Sequence, residues 1–148
     1  MQHKKLTDYP RPSVAVDVAV LTIRDDVLQV LVVEHRLGGL ALPGTFLREK
    51  EVLAGAAARA LREKAGLSDV AFTQLHVFDA LDRDERGWVL SVGHSAALAA
   101  NRIPADALLI PIVDGAPENG CFSITTALPG WRSRPCSRTT GEYSTRRT

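Results

Sequence analysis

Acidic and basic side chains cluster between residues 42 and 67, where the sequence reads LPGTFLREKEVLAGAAARALREKAGL. Arg59 and Glu63 lie one helical turn apart and can form an ion pair, and Glu51 precedes them. Carboxylate oxygens are the ligands that Mg²⁺ takes in proteins. Taken alone, the Arg59–Glu63 pair is more typical of a solvated helix face, where it contributes a few tenths of a kcal/mol.

A helix over Leu53–Ala65 must position these side chains, because this stretch consists of good helix formers interrupted only by Gly55. Pro43-Gly44 predicts a tight loop before the helix, and Gly66 stands where a left-handed helix cap belongs. Val52 occupies the capping position, and the loss of a Ser or Thr there costs about 1 kcal/mol. One apolar stripe follows from the four-residue spacing of Leu53, Ala57, Leu61 and Ala65.

The loop and helix together resemble a Nudix box, whose pattern is G-x5-E-x7-R-E-U-x-E-E-x-G-U, with U an aliphatic residue. Thr45 replaces the opening glycine, although Gly44 supplies the first glycine of the usual LPGG. Ala60 and Lys64 stand where the pattern has glutamates. The matching positions are Glu51, Arg59, Leu61, Glu63, Gly66 and Leu67.

This resemblance implies an α+β fold, an α/β/α sandwich in which helices flank a mixed β-sheet. Nudix hydrolases use helix carboxylates to hold Mg²⁺ or Mn²⁺ against a diphosphate. By the resemblance, Glu63 is the metal ligand, Glu51 assists, and Arg59 orients the carboxylates. These three residues are the candidate catalytic set.

The two substitutions predict a weak metal site. Residues 60 and 64 lie one helical turn apart, so glutamates at both positions would face the same ion. This chain offers a methyl group and an ammonium instead, and a fixed positive charge repels a dication. Lys64 can instead bind a phosphate directly as a point charge. We therefore expect Mg²⁺ or Mn²⁺ if the protein is active, or no cofactor, and weak or absent hydrolysis.

A second resemblance involves the stretch LHVFDALDRDERGWVLSVGH, residues 75–94. It is similar to a strand-loop-strand of ADP-ribose pyrophosphatase-like Nudix proteins and of Nudix-related transcriptional regulators of NAD metabolism. In those regulators the domain binds an ADP-ribose-type ligand while the box has decayed. The resemblance favours a nucleotide-type small molecule as the partner. The candidate substrate-binding residues are Arg36, Arg83 and Arg86, with Gly44 and Lys64. A solvated strand end explains Arg36 equally well, and a solvated loop is the more common outcome for Arg83 and Arg86.

Other polar and aromatic residues have two interpretations each. Asp17 interrupts an apolar strand and needs partners, so a structural role comes first and a ligand-facing role second. Trp88 could stack on a base, but core packing is favoured because the chain has few aromatic residues. His94 lies in an apolar strand and is expected to be a buried, hydrogen-bonded histidine. By the resemblance, the loop acids Asp82, Asp84 and Glu85 could supply the further carboxylate that some relatives bring from a distant loop.

Composition limits the remaining function classes. The chain has 148 residues, is 45% hydrophobic and carries a net charge of +1, which suits one globular domain without an overall field for nucleic acid. Its two cysteines are too few for a disulfide framework. The polar N-terminus is not a secretory signal, and no apolar run of membrane-spanning length occurs. We expect a cytoplasmic protein with no membrane partner, and homodimerisation stays open.

Organisation along the chain is predicted as a flexible lead over residues 1–13, a Nudix domain over 14–130 and a tail over 131–148. The tail contains no Ala, Val, Leu or Ile and cannot form an apolar helix face. It is either a disordered basic tail or the product of a frame slip near Gly130 that removes a final helix. We expect no DNA-binding domain in this chain, because residues 129–148 show no winged-helix pattern. Strands are predicted over residues 14–23, 27–33, 40–42, 70–79, 88–99, 107–113 and 121–128.

Three functions therefore stay open. The first is a Nudix hydrolase acting on a nucleoside diphosphate linked to another moiety, ADP-ribose-like by the second resemblance. The second is a non-catalytic sensor that binds such a ligand. The third is a truncated remnant without function.

Overall fold

The fold was obtained as a computed structural model that describes residues 4–36 and 38–112. Within these residues a mixed β-sheet of seven strands packs on one α-helix. The elements in chain order are β1 (Ser13–Arg24), β2 (Val27–Glu34), β3 (Leu40–Ala41), β4 (Gly44–Phe46), α1 (Leu53–Ala65), β5 (Thr73–Phe78), β6 (Val89–Ala97) and β7 (Leu108–Pro111).

Strand β1 is the centre of the sheet. The order is β3-β2-β1-β6-β5, with β4 also paired to β1 and β7 to β2. Strands β1 and β6 are parallel from the Ser13–Val89 pair to the Leu21–Ala97 pair, and the other pairings are antiparallel. The β-branched residues of β1 suit this position, because a central strand packs side chains on both faces.

Alternate residues of β1 form the core against the helix. Val16, Val18 and Val20 are fully buried on one face, as the two-residue period of a strand requires. Residues 15, 17, 19 and 21 on the opposite face are only half-buried. The half-buried face is where polar groups of this sheet can meet a ligand.

Helix α1 has the predicted bounds, and the predicted stripe packs on the sheet. Ala57 and Leu61 are buried, and Leu53 and Ala65 pack around them. Val52 at the N-terminus makes no side-chain capping bond, as expected. The left-handed cap at Gly66 has φ of 64°, and the backbone N–H groups of Gly66 and Leu67 both donate to the Leu61 carbonyl.

Several predicted boundaries differ from the structure. Strands β5, β6 and β7 are shorter than predicted, and β4 was missed because its three residues carry no alternating pattern. Short 3-10 helices occupy Leu6–Asp8 in the lead and Ala100–Arg102 after β6. The strand predicted over 121–128 and the 131–148 tail lie outside the described residues. In the described part of the chain, no helix is both long and apolar enough to span a membrane.

Candidate functional site

Arg59 is buried between α1 and the segment that precedes the helix, and it bonds to several groups of that segment. Its side chain is 9% exposed. The guanidinium Nε and Nη2 donate to the two Glu51 carboxylate oxygens, each at 2.8 Å. Nη1 also donates to Thr45 Oγ1 at 3.1 Å, and Nη2 to the Phe46 carbonyl at 2.9 Å. All these groups precede the helix, so Arg59 fixes β4 and the connecting segment against α1.

The predicted Arg59–Glu63 pair is present but is the weaker contact. Glu63 Oε2 lies 3.8 Å from Arg59 Nη1, and the Glu63 side chain is 49% exposed. Sequence spacing alone favoured this pair, whereas the bidentate partner is Glu51, eight residues before the arginine. Glu63 therefore keeps most of its hydrogen-bonding capacity directed to solvent.

Glu51 is held as an ionised carboxylate. The hydrogen bonds from Arg59 lower its pKa from 4.5 to about 2, and the Arg48 backbone N–H, which donates to Oε2 at 2.9 Å, adds to the effect. Burial opposes this shift only in part. Both Glu51 oxygens thus accept hydrogen bonds from the protein, which limits what the carboxylate can offer a cation.

The helix face at residues 60 and 64 does not fit a divalent cation. Ala60 is 0% exposed and supplies only a methyl group. The Lys64 ammonium donates to the Gly44 carbonyl, so a positive charge already occupies the space beside the loop. Among the described residues, no group of three or more His, Cys, Asp or Glu side chains could hold a metal ion together. Mg²⁺ usually takes one or two carboxylates with waters and substrate phosphates, and neither residue 60 nor residue 64 supplies a carboxylate.

An open cavity of about 990 Å³ lies beside this face. Its volume is at the upper end of the range for small-molecule sites. Half-buried residues of β1, the end of β2, strand β4 and the end of α1 contribute to its wall. All five predicted substrate-binding residues line it, namely Arg36, Gly44, Lys64, Arg83 and Arg86.

The candidate catalytic residues Glu51, Arg59 and Glu63 are not among the residues that line the cavity. Arg59 nevertheless bonds to Thr45 and Phe46, which do line it. The structure therefore separates the two predicted sets, and the guanidinium of Arg59 connects them through β4.

Asp17 has a hydrogen-bond partner within the sheet and also lies at the cavity. Its Oδ2 accepts a hydrogen bond from Ser91 Oγ, and the residue also lines the cavity. It pairs with Gly44 across β1 and β4, where a Cβ on the glycine would collide with Asp17 Oδ1 and stand 2.8 Å from the Val16 carbonyl oxygen. Only glycine fits there, because the Gly44 backbone comes so close to β1 that no side chain has room.

The loop between β5 and β6 presents a second fixed guanidinium to the cavity. Arg86 Nε and Nη2 donate to the Asp84 carboxylate at 2.9 and 2.7 Å, and the guanidinium lies 5.1 Å from the centre of the Phe46 ring. This pairing holds the pKa of Asp84 well below its usual range and raises that of Arg86. The possibility that Asp84 offers a carboxylate to a cation stays a prediction, and the same carboxylate accepts two hydrogen bonds from the Arg86 guanidinium.

Trp88 is not a core residue, so the favoured prediction of packing was wrong. The residue is 45% exposed, because it ends the loop before β6 instead of belonging to the strand. His94 is buried as predicted, and its Nδ1 donates to the Val92 carbonyl at 3.0 Å. Sequence reasoning missed Phe46 and Asp106, which line the cavity but belong to no recognised pattern.

Comparison with known families decides the classification. The family model described as the NUDIX domain matches residues 13–107. The chain belongs to the Nudix family. The predicted Nudix fold is confirmed, since solved Nudix proteins share the mixed sheet and helix.

This Nudix chain is similar to three proteins whose descriptions refer to ADP-ribose. The ADPR responsive transcriptional repressor NtrR of Acinetobacter baylyi is 32% identical over 103 residues, which are 66% of this chain and 41% of the repressor. The ADP-ribose pyrophosphatase of Methanocaldococcus jannaschii is 33% identical over 93 residues, 60% of this chain and 53% of the enzyme. The NUDIX domain of Shewanella oneidensis NrtR, solved in complex with ADP ribose, superposes with a TM-score of 0.62 and 28% identity over 73% of this chain and 78% of that one. The chain thus spans about half or less of each of the two curated relatives.

Proposed function

We propose that this Nudix chain binds a nucleoside diphosphate linked to a second moiety, of ADP-ribose type, and that diphosphate hydrolysis is weak or absent. The observation that carries the proposal is the position of Lys64. Its ammonium takes the place of a carboxylate on the helix, contacts the Gly44 carbonyl and lines the cavity. One residue thereby weakens a cation site and strengthens a phosphate site.

Binding is supported by the cations around the cavity. Lys64 and three arginines line it, and Lys and Arg are the side chains that bind phosphate, as a point charge and as a planar fork respectively. Arg86 is held in place by Asp84 and needs little reordering to bind. The relatives that act on or respond to ADP-ribose support the same ligand class.

Weak hydrolysis is supported by the state of the carboxylates. Glu51 is bound to Arg59 through both oxygens, and Ala60 carries no donor atom. The Glu63 side chain is 49% exposed, and within the described residues its carboxylate makes only the 3.8 Å contact with Arg59. One such group is a poor ligand set for Mg²⁺ or Mn²⁺, the ions that Nudix chemistry would use to activate water.

A metal-dependent hydrolase is the second candidate, and a specific observation favours it. The predicted catalytic residues Glu51, Arg59 and Glu63 form one hydrogen-bonded and ion-paired cluster, within reach of the cavity wall. Turnover would then rely on Glu63 and on ligands from the substrate itself.

Calorimetric titration with ADP-ribose in the absence of metal tests the binding. Charged hydrogen bonds contribute about 1.5–3 kcal/mol, so Lys64→Met is expected to weaken the affinity roughly 10- to 100-fold. Arg62→Met is the matched control, because it removes a charge from the same helix turn at an exposed residue that does not line the cavity. An affinity equal to wild type in Lys64→Met, or no binding by wild type, would overturn the proposal.

Chromatographic detection of AMP after incubation with Mg²⁺ or Mn²⁺ tests the hydrolysis. We expect binding with little or no AMP. Rapid metal-dependent release would replace the binding proposal with the hydrolase.

A further inference from the structure

A second, smaller groove adjoins the cavity at the start of β1. Its volume is about 380 Å³, and it is called here the aromatic groove. Phe46, Arg86 and Val89 line both the groove and the cavity, so the two spaces are neighbours. The residues that line the aromatic groove are Arg11, Ser13, Phe46, Arg86, Gly87, Trp88 and Val89.

Sheet register brings the two aromatic rings of the groove to opposite sides of β1. Phe46 on β4 is opposite Ala15 on one side of the strand. On the other side Ser13 is opposite Val89, and the Ser13 backbone N–H donates to the Trp88 carbonyl at 3.0 Å. Residues 46 and 88 are far apart in sequence and reach one groove because both neighbouring strands pair with the same end of β1.

Both rings are exposed to a degree that core packing does not explain. Phe46 is 38% and Trp88 45% exposed. Aromatic rings are the largest apolar groups a fold can bury, and this chain has only two Trp and four Phe residues. Two exposed aromatic residues that line the same groove are the side chains on which a planar aromatic group can stack.

Arginine charges determine which aromatic group fits. Arg86 lies 5.1 Å from the Phe46 ring centre and is fixed by two hydrogen bonds to Asp84, so its planar cation stands at the border between groove and cavity. Arg11 adds a second cation to the groove lining. Rings and arginines together favour an aromatic group that carries negative charge on the side of the cavity.

We infer that the aromatic groove binds the base of the nucleotide whose phosphates occupy the cavity, with Trp88 as the stacking residue. This inference rests on the proposed function, because the cavity must hold the diphosphate for the groove to receive the attached base. Arg86 contacts the junction of the two parts. The aromatic groove then distinguishes a nucleotide from a plain diphosphate or a sugar phosphate.

Intrinsic fluorescence tests the groove directly. The chain has two tryptophans, so Trp131→Phe leaves Trp88 as the reporter. In this background we expect ADP-ribose to quench the Trp88 emission, whereas inorganic pyrophosphate and ribose 5-phosphate leave it unchanged. Calorimetry in parallel records whether each probe binds.

Substitution separates stacking from a structural role. Trp88→Ala is expected to weaken ADP-ribose binding roughly 5- to 100-fold and to leave pyrophosphate binding unchanged. Trp88→Phe keeps a ring and should restore most of the affinity. Tyr9→Ala is the matched control, because Tyr9 is 52% exposed and lines neither the groove nor the cavity.

Three outcomes would overturn the inference in distinguishable ways. If ADP-ribose binds while Trp88 emission and the affinity of Trp88→Ala stay unchanged, the groove is not the base site and the proposed function survives. If neither ADP-ribose nor pyrophosphate binds, both proposals fail. If Trp88 emission depends on protein concentration without ligand and sedimentation shows a dimer, a second copy of the chain covers the groove instead.

Discussion

Replacing both Ala60 and Lys64 with glutamate tests whether these two side chains are what weakens the metal site. The double variant returns both positions to the Nudix pattern and removes the ammonium that contacts Gly44. Two carboxylates one helical turn apart then face the same point, with Glu63 nearby. We expect this variant to bind Mg²⁺ and the wild type not to.

The expected loss of stability in the metal-free variant follows from the burial of residue 60. Ala60 is 0% exposed, so a carboxylate there without a cation is buried, which raises a carboxyl pKa by up to 3–5 units. At 1.36 kcal/mol per unit, the metal-free variant is expected to lose about 4 kcal/mol of stability near neutral pH, a large part of the 5–15 kcal/mol typical of a domain. The unfolded state gives up the proton first, so this loss should grow as the pH rises above about 4.5 and shrink in acid.

Thermal unfolding with and without Mg²⁺ is the assay. At a Mg²⁺ concentration about 100 times Kd, binding restores about 2.7 kcal/mol, which corresponds to a rise in Tm of roughly 8–10 °C. The matched control is Ala60→Gln with Lys64→Gln, which has the same side-chain sizes without the charges. If the metal-free double variant is too unstable, Lys64→Glu alone gives the same comparison with a smaller shift.

Equal Mg²⁺ responses in the glutamate and glutamine variants would refute the carboxylate reasoning. A Mg²⁺-dependent rise in the wild-type Tm of similar size would refute it as well, since it would show that Ala60 and Lys64 do not impair the site.

Three further predictions concern the frame around the cavity, each measured by urea unfolding. Gly44→Ala should destabilise the fold by about 1–3 kcal/mol, because its methyl group would overlap β1. In Gly55→Ala the new methyl group meets its nearest side-chain atom at 3.5 Å, so this variant should stabilise the fold by about 0.5–1 kcal/mol. Equal effects of the two variants would show that the close approach of Gly44 to β1 does not exclude a side chain. Val52→Ser should add about 1 kcal/mol by capping a helix that has no side-chain cap, and an unchanged midpoint would contradict this. Arg59 lowers the pKa of Glu51 from 4.5 to about 2, so the ionised form stabilises the fold above about pH 4.5, and this contribution is lost as the pH falls towards 2. Glu51→Gln should therefore lower the urea midpoint at neutral pH and make the midpoint fall less steeply between these two pH values. Parallel curves of midpoint against pH for the two proteins would exclude the linkage.

Local sequence patterns were sufficient to predict the helix and the main strands. The bounds of α1, the cap at Gly66 and the strand character of β1 depend on propensity and short-range spacing, which the sequence displays directly. The collection of arginines in one cavity was anticipated from family resemblance, not from spacing. The functional roles of these residues stay predictions.

The pairing of strands that are distant in sequence could not be predicted from local patterns. Strand β4 has three residues and gains its place from pairing with β1, so the position of Phe46 could not be predicted. Trp88 was placed in the core because rings usually pack, but the loop that ends at this residue leaves it open. The Glu51–Arg59 bond joins residues on different elements, whereas i,i+4 spacing pointed to Glu63.

The four hydrogen bonds of Arg59 have a consequence for how such sequences are interpreted. A lysine there could not reproduce them, because its single ammonium lacks the planar fork that reaches a carboxylate, a hydroxyl and a carbonyl together. A genome search that finds this arginine with its upstream glutamate therefore detects a correctly assembled scaffold, whether or not the scaffold still breaks a bond.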